Sequence, residues 1–305
     1  MSTAFEQVDV FTDRPFAGNP LCVVPDGAGL STAAMQAIAR EMNLSETTFV
    51  LPPTDPHATY RMRIFTPARE LPFAGHPSIG TAWILARAKR FPLSEPVTRV
   101  WQEVGIGTLP LDIEVRAGAP GRVVMTQGAP TFGPVLRDVG PIATALGLPA
   151  TALGRGAPQV VSTGIGHLLV PLPDLSMLEA LRPDSAALSA LLQAHDAVGC
   201  FVFVRVGAAT EVLARARMFA PGVGVPEDPA TGSAAGPLGA YLAAHGLLGE
   251  RKSFTIEQGV EMGRPSRLWV EVECEASGMP RVLRVGGDTV AVMRGTIEAS
   301  DVGPV

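Results

Sequence analysis

Arg63-Ile64-Phe65-Thr66-Pro67 returns as Arg217-Met218-Phe219-Ala220-Pro221, an offset of 217 − 63 = 154 in a chain of 305 residues. The first copy runs on through Glu70 to Phe-Ala-Gly75-His76-Pro77-Ser-Ile-Gly80, the second through Glu227 and Asp228 to Ala-Thr-Gly232-Ser233-Ala-Ala-Gly236. Each copy reads as strand, acidic loop, glycine turn and helix. Short patterns with two free positions recur by chance, but the matching downstream order favours duplication over chance. A duplicated chain of this kind predicts two similar α/β lobes facing one another across a cleft. The two helices that follow the glycine turns would point their N-termini into it. Free backbone N–H groups and the positive end of the helix dipole suit such a cleft to an anion. Any one glycine on its own is more simply a tight turn or a close approach.

Ala117-Gly-Ala-Pro-Gly121 reads as the boundary between lobes. The expected division is 1–118 plus about 289–305 for the first lobe and 119–288 for the second, the apolar run 289–298 crossing back. Strands are expected near 5–12, 20–25, 46–51, 60–65, 122–127, 159–163, 199–206, 211–219, 253–258, 267–273 and 281–285. Helices are expected near 31–43, 77–90, 176–194 and 233–246. Ser31 can cap the first helix, whose Met35, Ile38 and Met42 line one face. Pro15 to Pro20 reads as a turn, and Asn19 is either a turn residue or a site residue, the turn being favoured.

With 47% apolar and 17% charged residues the chain can bury a large core. A net charge of −5 without Lys/Arg runs argues against nucleic acid as a partner. Cys22, Cys200 and Cys274 form neither a CxxC pair nor a disulfide framework, which fits a reducing cytoplasm. The N-terminus has no signal-peptide pattern and no run reaches the roughly 18–20 apolar residues of a membrane span, so no membrane association is expected.

Four Gly-X-Gly triplets, at 105–107, 154–156, 164–166 and 222–224, lack the third glycine of a dinucleotide fingerprint. Gly232-Ser233-Ala-Ala-Gly236 is not a nucleophile elbow, so a Ser233/His76/Asp228 hydrolase triad is disfavoured and Ser233 reads as a helix cap. The five histidines show no metal-ligand spacing and no Walker sequence occurs, so neither metal nor nucleotide is expected. What remains is Glu46, between a helix and an apolar strand, with His76 and Asp228 beside the glycine turns. A carboxylate held out of water needs a partner or a proton, and a group poised to gain and lose one suits acid–base catalysis. Taken singly, Asp228 before Pro229 is more often a turn or cap residue and His76 before Pro77 a structural histidine.

The same residues resemble the PhzF family, isomerase-like proteins named after phenazine biosynthesis that share the diaminopimelate epimerase-like fold. The resemblance runs through Gly18-Asn19-Pro20, Met35 to Glu46, Arg63 to Pro67, Glu70 to Pro77, Glu227 to Leu238 and Gln258 to Ser266. It implies an α/β (α+β) fold of two pseudo-symmetric lobes, each a curled, barrel-like mixed sheet around a central helix, and commonly a homodimer. It implies neither cofactor nor metal. Carried over residue by residue, the catalytic glutamate falls on Glu46, with His76 and Asp228 assisting. Ser45, Gly75, Gly232 and Ser233 would line the substrate site, and Asn19 is kept as a candidate contact. The implied reaction is a proton shift on a small carboxylate, in the phenazine pathway the isomerisation of trans-2,3-dihydro-3-hydroxyanthranilate to an aminoketone. Epimerases of this fold use two facing cysteines, and no thiol stands at either glycine turn here; Cys22 reads as a small core residue. An epimerase or racemase of another acid, and a non-catalytic anion-binding protein, are the alternatives.

Overall fold

The computed structural model describes residues 2–153, 157–207 and 211–298; the 154–156 triplet and the residues after 298 lie outside them. Two compact units form, one from the residues up to Met125 together with those from Gly286 on, the other from Thr126–Val285. The first contains β1 (Ser2–Val10), β2 (Asn19–Val24), α1 (Thr32–Met42), β3 (Glu46–Leu51), β4 (Tyr60–Phe65), β5 (Glu70–Leu71), α2 (Gly75–Arg87), β6 (Val97–Val104), β7 (Gly107–Arg116) and β8 (Ala119–Thr126). The second contains β9 (Thr131–Val135), α3 (Gly140–Leu146), β10 (Gln159–Ser162), β11 (Gly166–Leu172), α4 (Leu175–Ala180), α5 (Ser185–Ala194), β12 (Gly199–Arg205), β13 (Val212–Ala220), β14 (Val225–Asp228), α6 (Gly232–Ala244), β15 (Ser253–Gln258), β16 (Ser266–Cys274) and β17 (Pro280–Gly287). The last strand, β18 (Thr289–Glu298), pairs antiparallel with β1 in the first unit.

The duplication is legible in the strand pairings. In the first unit β1–β2 is antiparallel, β2–β3 parallel, β3–β4 antiparallel, β4–β6 parallel and β6–β7 antiparallel. In the second, β10–β11, β11–β12, β12–β13, β13–β15 and β15–β16 repeat that order of directions. A parallel step needs a crossover, and here helices supply it: α1 and α2 in the first unit, α4 with α5 and then α6 in the second. Both α2 and α6 are 13 residues long and buried along nearly their whole length, as a helix enclosed by sheet must be. Small residues let the strands approach: a Cβ on Gly80 would meet Leu21 and Val10, and one on Gly239 would meet Val270 and Val272.

Three expectations are corrected. Ala117 and Gly118 both have positive φ and form the two-residue turn of the β7–β8 hairpin, so the glycine-rich stretch closes a hairpin in place of separating lobes. The helix expected over 176–194 is broken around Pro183, whose ring and missing N–H disfavour a helix interior, and Asp184 caps its second part by accepting from the N–H groups of Ala186 and Ala187. Asn19 is not in the turn: it opens β2 and is fully buried. Among the described residues no helix is long and apolar enough to cross a membrane.

Candidate functional site

In the first unit the approach to the site begins at α1. Ser31 accepts from the Ala34 N–H at its start, and Asn43 ends it in the left-handed conformation, φ 50°, its N–H returning to the Ala39 carbonyl. That reversal leads through Leu44 and half-buried Ser45 into β3, whose first residue is Glu46, in register with Leu21 of β2. From the other side α2 starts at Gly75, so that His76, in its first turn, reaches the same end of β2. The structure thereby brings two of the expected residues together: His76 Nε2 lies 3.4 Å from Glu46 Oε2.

His76 is buried, and burial pushes its pKa down to about 3, while a hydrogen bond to the Pro20 backbone pulls the other way. Proline has no N–H, so the imidazole donates to the Pro20 carbonyl; as Nε2 makes no hydrogen bond, the donor is Nδ1. A neutral ring with its proton on Nδ1 turns the Nε2 lone pair toward the Glu46 oxygen. Two lone pairs at that separation repel, and one proton held between them removes the repulsion. A proton taken up by the Glu46 carboxyl could be shared with that lone pair, which suits a group that must both take and return one.

In the second unit Asp228 ends β14, opposite Met218 of β13. Glu227 beside it is locked by both carboxylate oxygens to Arg217, at 2.8 and 2.9 Å, as Glu70 is to Arg63 in the first unit at 2.7 and 2.6 Å. The loop from Asp228 to α6 is held by Gln258, which is wholly buried. Its Nε2 donates to the Asp228 carbonyl at 2.7 Å and to Thr231 Oγ1 at 3.1 Å, and its Oε1 accepts from the Thr231 N–H at 3.1 Å. Thr231 in turn gives its hydroxyl proton to Asp228 Oδ2. Asp228 is thus partly the turn residue its sequence context suggests, held by Gln258 at its carbonyl and by Thr231 at its carboxylate.

Thr231 occupies the N-cap of α6, a place where threonine usually satisfies a backbone N–H, yet its hydroxyl is spent on Asp228 and no side chain caps the helix. Ala74 at the N-cap of α2 has no side chain to offer. Both helices therefore begin with open N–H groups at Gly75–His76 and Gly232–Ser233, which can receive a carboxylate. Ser233 is the second residue of α6 and not its cap. Its hydroxyl lies 3.1 Å from His167 Nε2, a contact nothing in the sequence signals, since 66 residues separate the two. Gln127 also escaped the sequence reading: its Nε2 donates to the Gly232 carbonyl at 2.8 Å. Cys22 is buried, its thiol pushed up to about 12 by burial, as a core residue should be. Among the described residues no group of three or more His, Cys, Asp or Glu side chains is arranged to hold a metal ion.

His167, like His76, is buried and neutral, its pKa lowered to about 4 by burial. Both rings have an ordinary value of 6.5, so between pH 6.5 and about 4 the unfolded chain binds protons that the folded chain does not. Their contribution to stability is complete above pH 6.5 and is lost as the pH falls, by about 1.4 kcal/mol per ring per pH unit. Urea midpoints are expected to drop between pH 7 and pH 5, and to drop less in His167→Gln; equal midpoints at the two pH values would contradict this.

Comparison with known proteins agrees with the fold. A family profile described as "phenazine biosynthesis-like protein" (PhzC-PhzF) matches residues 8–295. The trans-2,3-dihydro-3-hydroxyanthranilate isomerase of Pseudomonas chlororaphis is 42% identical over 291 residues, covering 95% of this chain and 97% of that protein. The crystal structure of a Bacillus anthracis phenazine biosynthesis protein of the PhzF family superposes with a TM-score of 0.86 at 27% identity, over 97% of this chain and 99% of the other. A structure described as a predicted epimerase from Pseudomonas aeruginosa gives 0.80 at 36% identity, over 98% and 100%.

Proposed function

Since this chain belongs to the phenazine biosynthesis-like family and is an isomerase of it, we propose that it moves a proton within trans-2,3-dihydro-3-hydroxyanthranilate, the compound named for the Pseudomonas chlororaphis relative. Glu46 takes the hydrogen from the ring carbon bearing the hydroxyl and returns it to another ring carbon. No atom is gained or lost: one C–H bond breaks, another forms, and the resulting enol passes to its keto form, an aminoketone. His76 keeps the carboxyl oriented and shares its proton, and Asp228 serves as a second polar group for the substrate. The open N–H groups at the start of α2 or α6 receive the substrate carboxylate, with Ser45 and Asn19 as further contacts. The observation that carries this reading is the 3.4 Å approach of Glu46 to a neutral, buried imidazole, an arrangement suited to holding one proton.

The test is direct. Purified protein incubated with the dihydrohydroxyanthranilate is expected to consume it catalytically, giving a product of unchanged mass and altered ultraviolet absorbance. Absence of turnover at micromolar enzyme would reject this substrate. The description of the 36%-identical structure favours a second reading, epimerisation of an amino or hydroxy acid; inversion of a stereocentre without migration of a double bond would identify it.

A further inference from the structure

His167 on β11 is 2% exposed, and its Nε2 lies 3.1 Å from Ser233 Oγ. The other ring nitrogen, Nδ1, is buried and has no protein partner among the described residues. A neutral imidazole carries one N–H, so two tautomers compete. With the proton on Nδ1, a donor would be buried unused and Ser233 would have to give its hydroxyl proton to Nε2. With the proton on Nε2, the donor is satisfied by Ser233 Oγ, and the unused atom is an acceptor, the more readily tolerated of the two.

Among the described residues Ser233 does not use the helix's own outlet for such a hydroxyl. A serine in the first turns of a helix commonly donates to the carbonyl four residues back, as Ser78 of α2 does to Ala74 at 2.8 Å. The corresponding carbonyl for Ser233 is that of Pro229, which accepts from Ser266 Oγ at 2.9 Å. The Ser233 hydroxyl is half-buried at the open start of α6, where the N–H groups of Gly232 and Ser233 also lack helical acceptors.

We propose that His167 is a positioning residue: its Nε2–H donates to Ser233 Oγ and thereby commits the serine's own proton to the carboxylate of the bound substrate. The inference rests on the proposed function for the identity of that substrate, but its first part concerns the protein alone. The site then offers three donors, the N–H groups of Gly232 and Ser233 and the Ser233 hydroxyl, so it selects an ionised carboxylate. His76 must carry the opposite tautomer, Nδ1–H, because of its bond to Pro20. The two buried imidazoles serve different ends, one leaving a lone pair facing a carboxyl group and the other supplying a proton to a hydroxyl.

Nitrogen-15 NMR of histidine-labelled wild-type protein at pH 7, with assignment by loss of the signal in His167→Phe, reads the tautomer without any substrate. An Nε2–H ring at position 167 is expected; an Nδ1–H ring or an imidazolium overturns the inference whatever the protein acts on. With the dihydrohydroxyanthranilate as substrate, His167→Phe is expected to raise KM about three- to tenfold with kcat within about twofold. His167→Gln, whose amide can still donate, should recover most of that loss. Ser233→Ala should raise KM similarly, and adding His167→Phe to it should change nothing further. Equal fall of kcat and folded fraction in both His167 variants, or additive effects with Ser233→Ala, would show a merely structural histidine. A wild-type protein inactive on this substrate but carrying Nε2–H would refute the proposed substrate and leave the tautomer established.

Discussion

Replacing Glu46 by glutamine is expected to lower kcat for the isomerisation by about 10²–10⁴-fold, the range for loss of a positioned general acid–base group. Glutamine matches glutamate in shape, and its amide can donate to His76 Nε2, which the structure leaves without a hydrogen bond. The folded state should therefore survive, and the thermal midpoint should stay within a few degrees of wild type. What is lost is the proton that a carboxyl can release to one carbon and recover from another. Steady-state kinetics beside a melting curve separate the two effects: wild-type turnover by folded Glu46→Gln protein would remove Glu46 from the mechanism. Because His76 holds its proton on the far side, toward Pro20, the imidazole cannot replace the missing acid without giving up that bond, so rescue by His76 is not expected.

Gly259→Ala is expected to be the most damaging small substitution in the second unit. Gly259 has φ +76°, and a Cβ there would lie 2.5 Å from both the Arg264 and Pro229 carbonyl oxygens. The left-handed backbone costs about 1–2 kcal/mol and forced overpacking a further 1–3 kcal/mol. Neither obstructing atom can rotate away, since both belong to the main chain and the Pro229 oxygen is also held by Ser266. A total of about 2–5 kcal/mol corresponds to a fall of roughly 5–20 °C in the melting temperature of a unit of this size. Gly278→Ala supplies the control: its φ is +86°, but beyond its chain neighbours no described atom lies within 4 Å of where a Cβ would stand, so only the backbone cost applies. If the two variants melted together, the crowding at Pro229 would have no energetic consequence. Activity should fall with Gly259→Ala as well, because Pro229 follows Asp228 directly and any shift in it is passed to that carboxylate.

The repeat at an offset of 154, the Glu46 position between helix and strand, and the glycine turns were all readable in the sequence because each is local. Strands such as β3, β4 and β15 follow from short apolar or β-branched runs, and the expected limits agree with the observed Glu46–Leu51, Tyr60–Phe65 and Ser253–Gln258. β7, with Pro110 and its charged residues, and the two-residue β5 carried no such signal and were not anticipated. The chain's own order of residues therefore determined the duplication, the family and which side chains are the candidates for the chemistry. Only the tertiary structure decided their surroundings: that buried His76 bonds to the Pro20 backbone and approaches Glu46, that Gln258 holds the Asp228 loop, and that His167 meets Ser233. Such pairings join residues 30 to 66 positions apart along the chain, and burial, which moves both imidazoles far from their ordinary values, is a property of the packed surroundings and of no single residue.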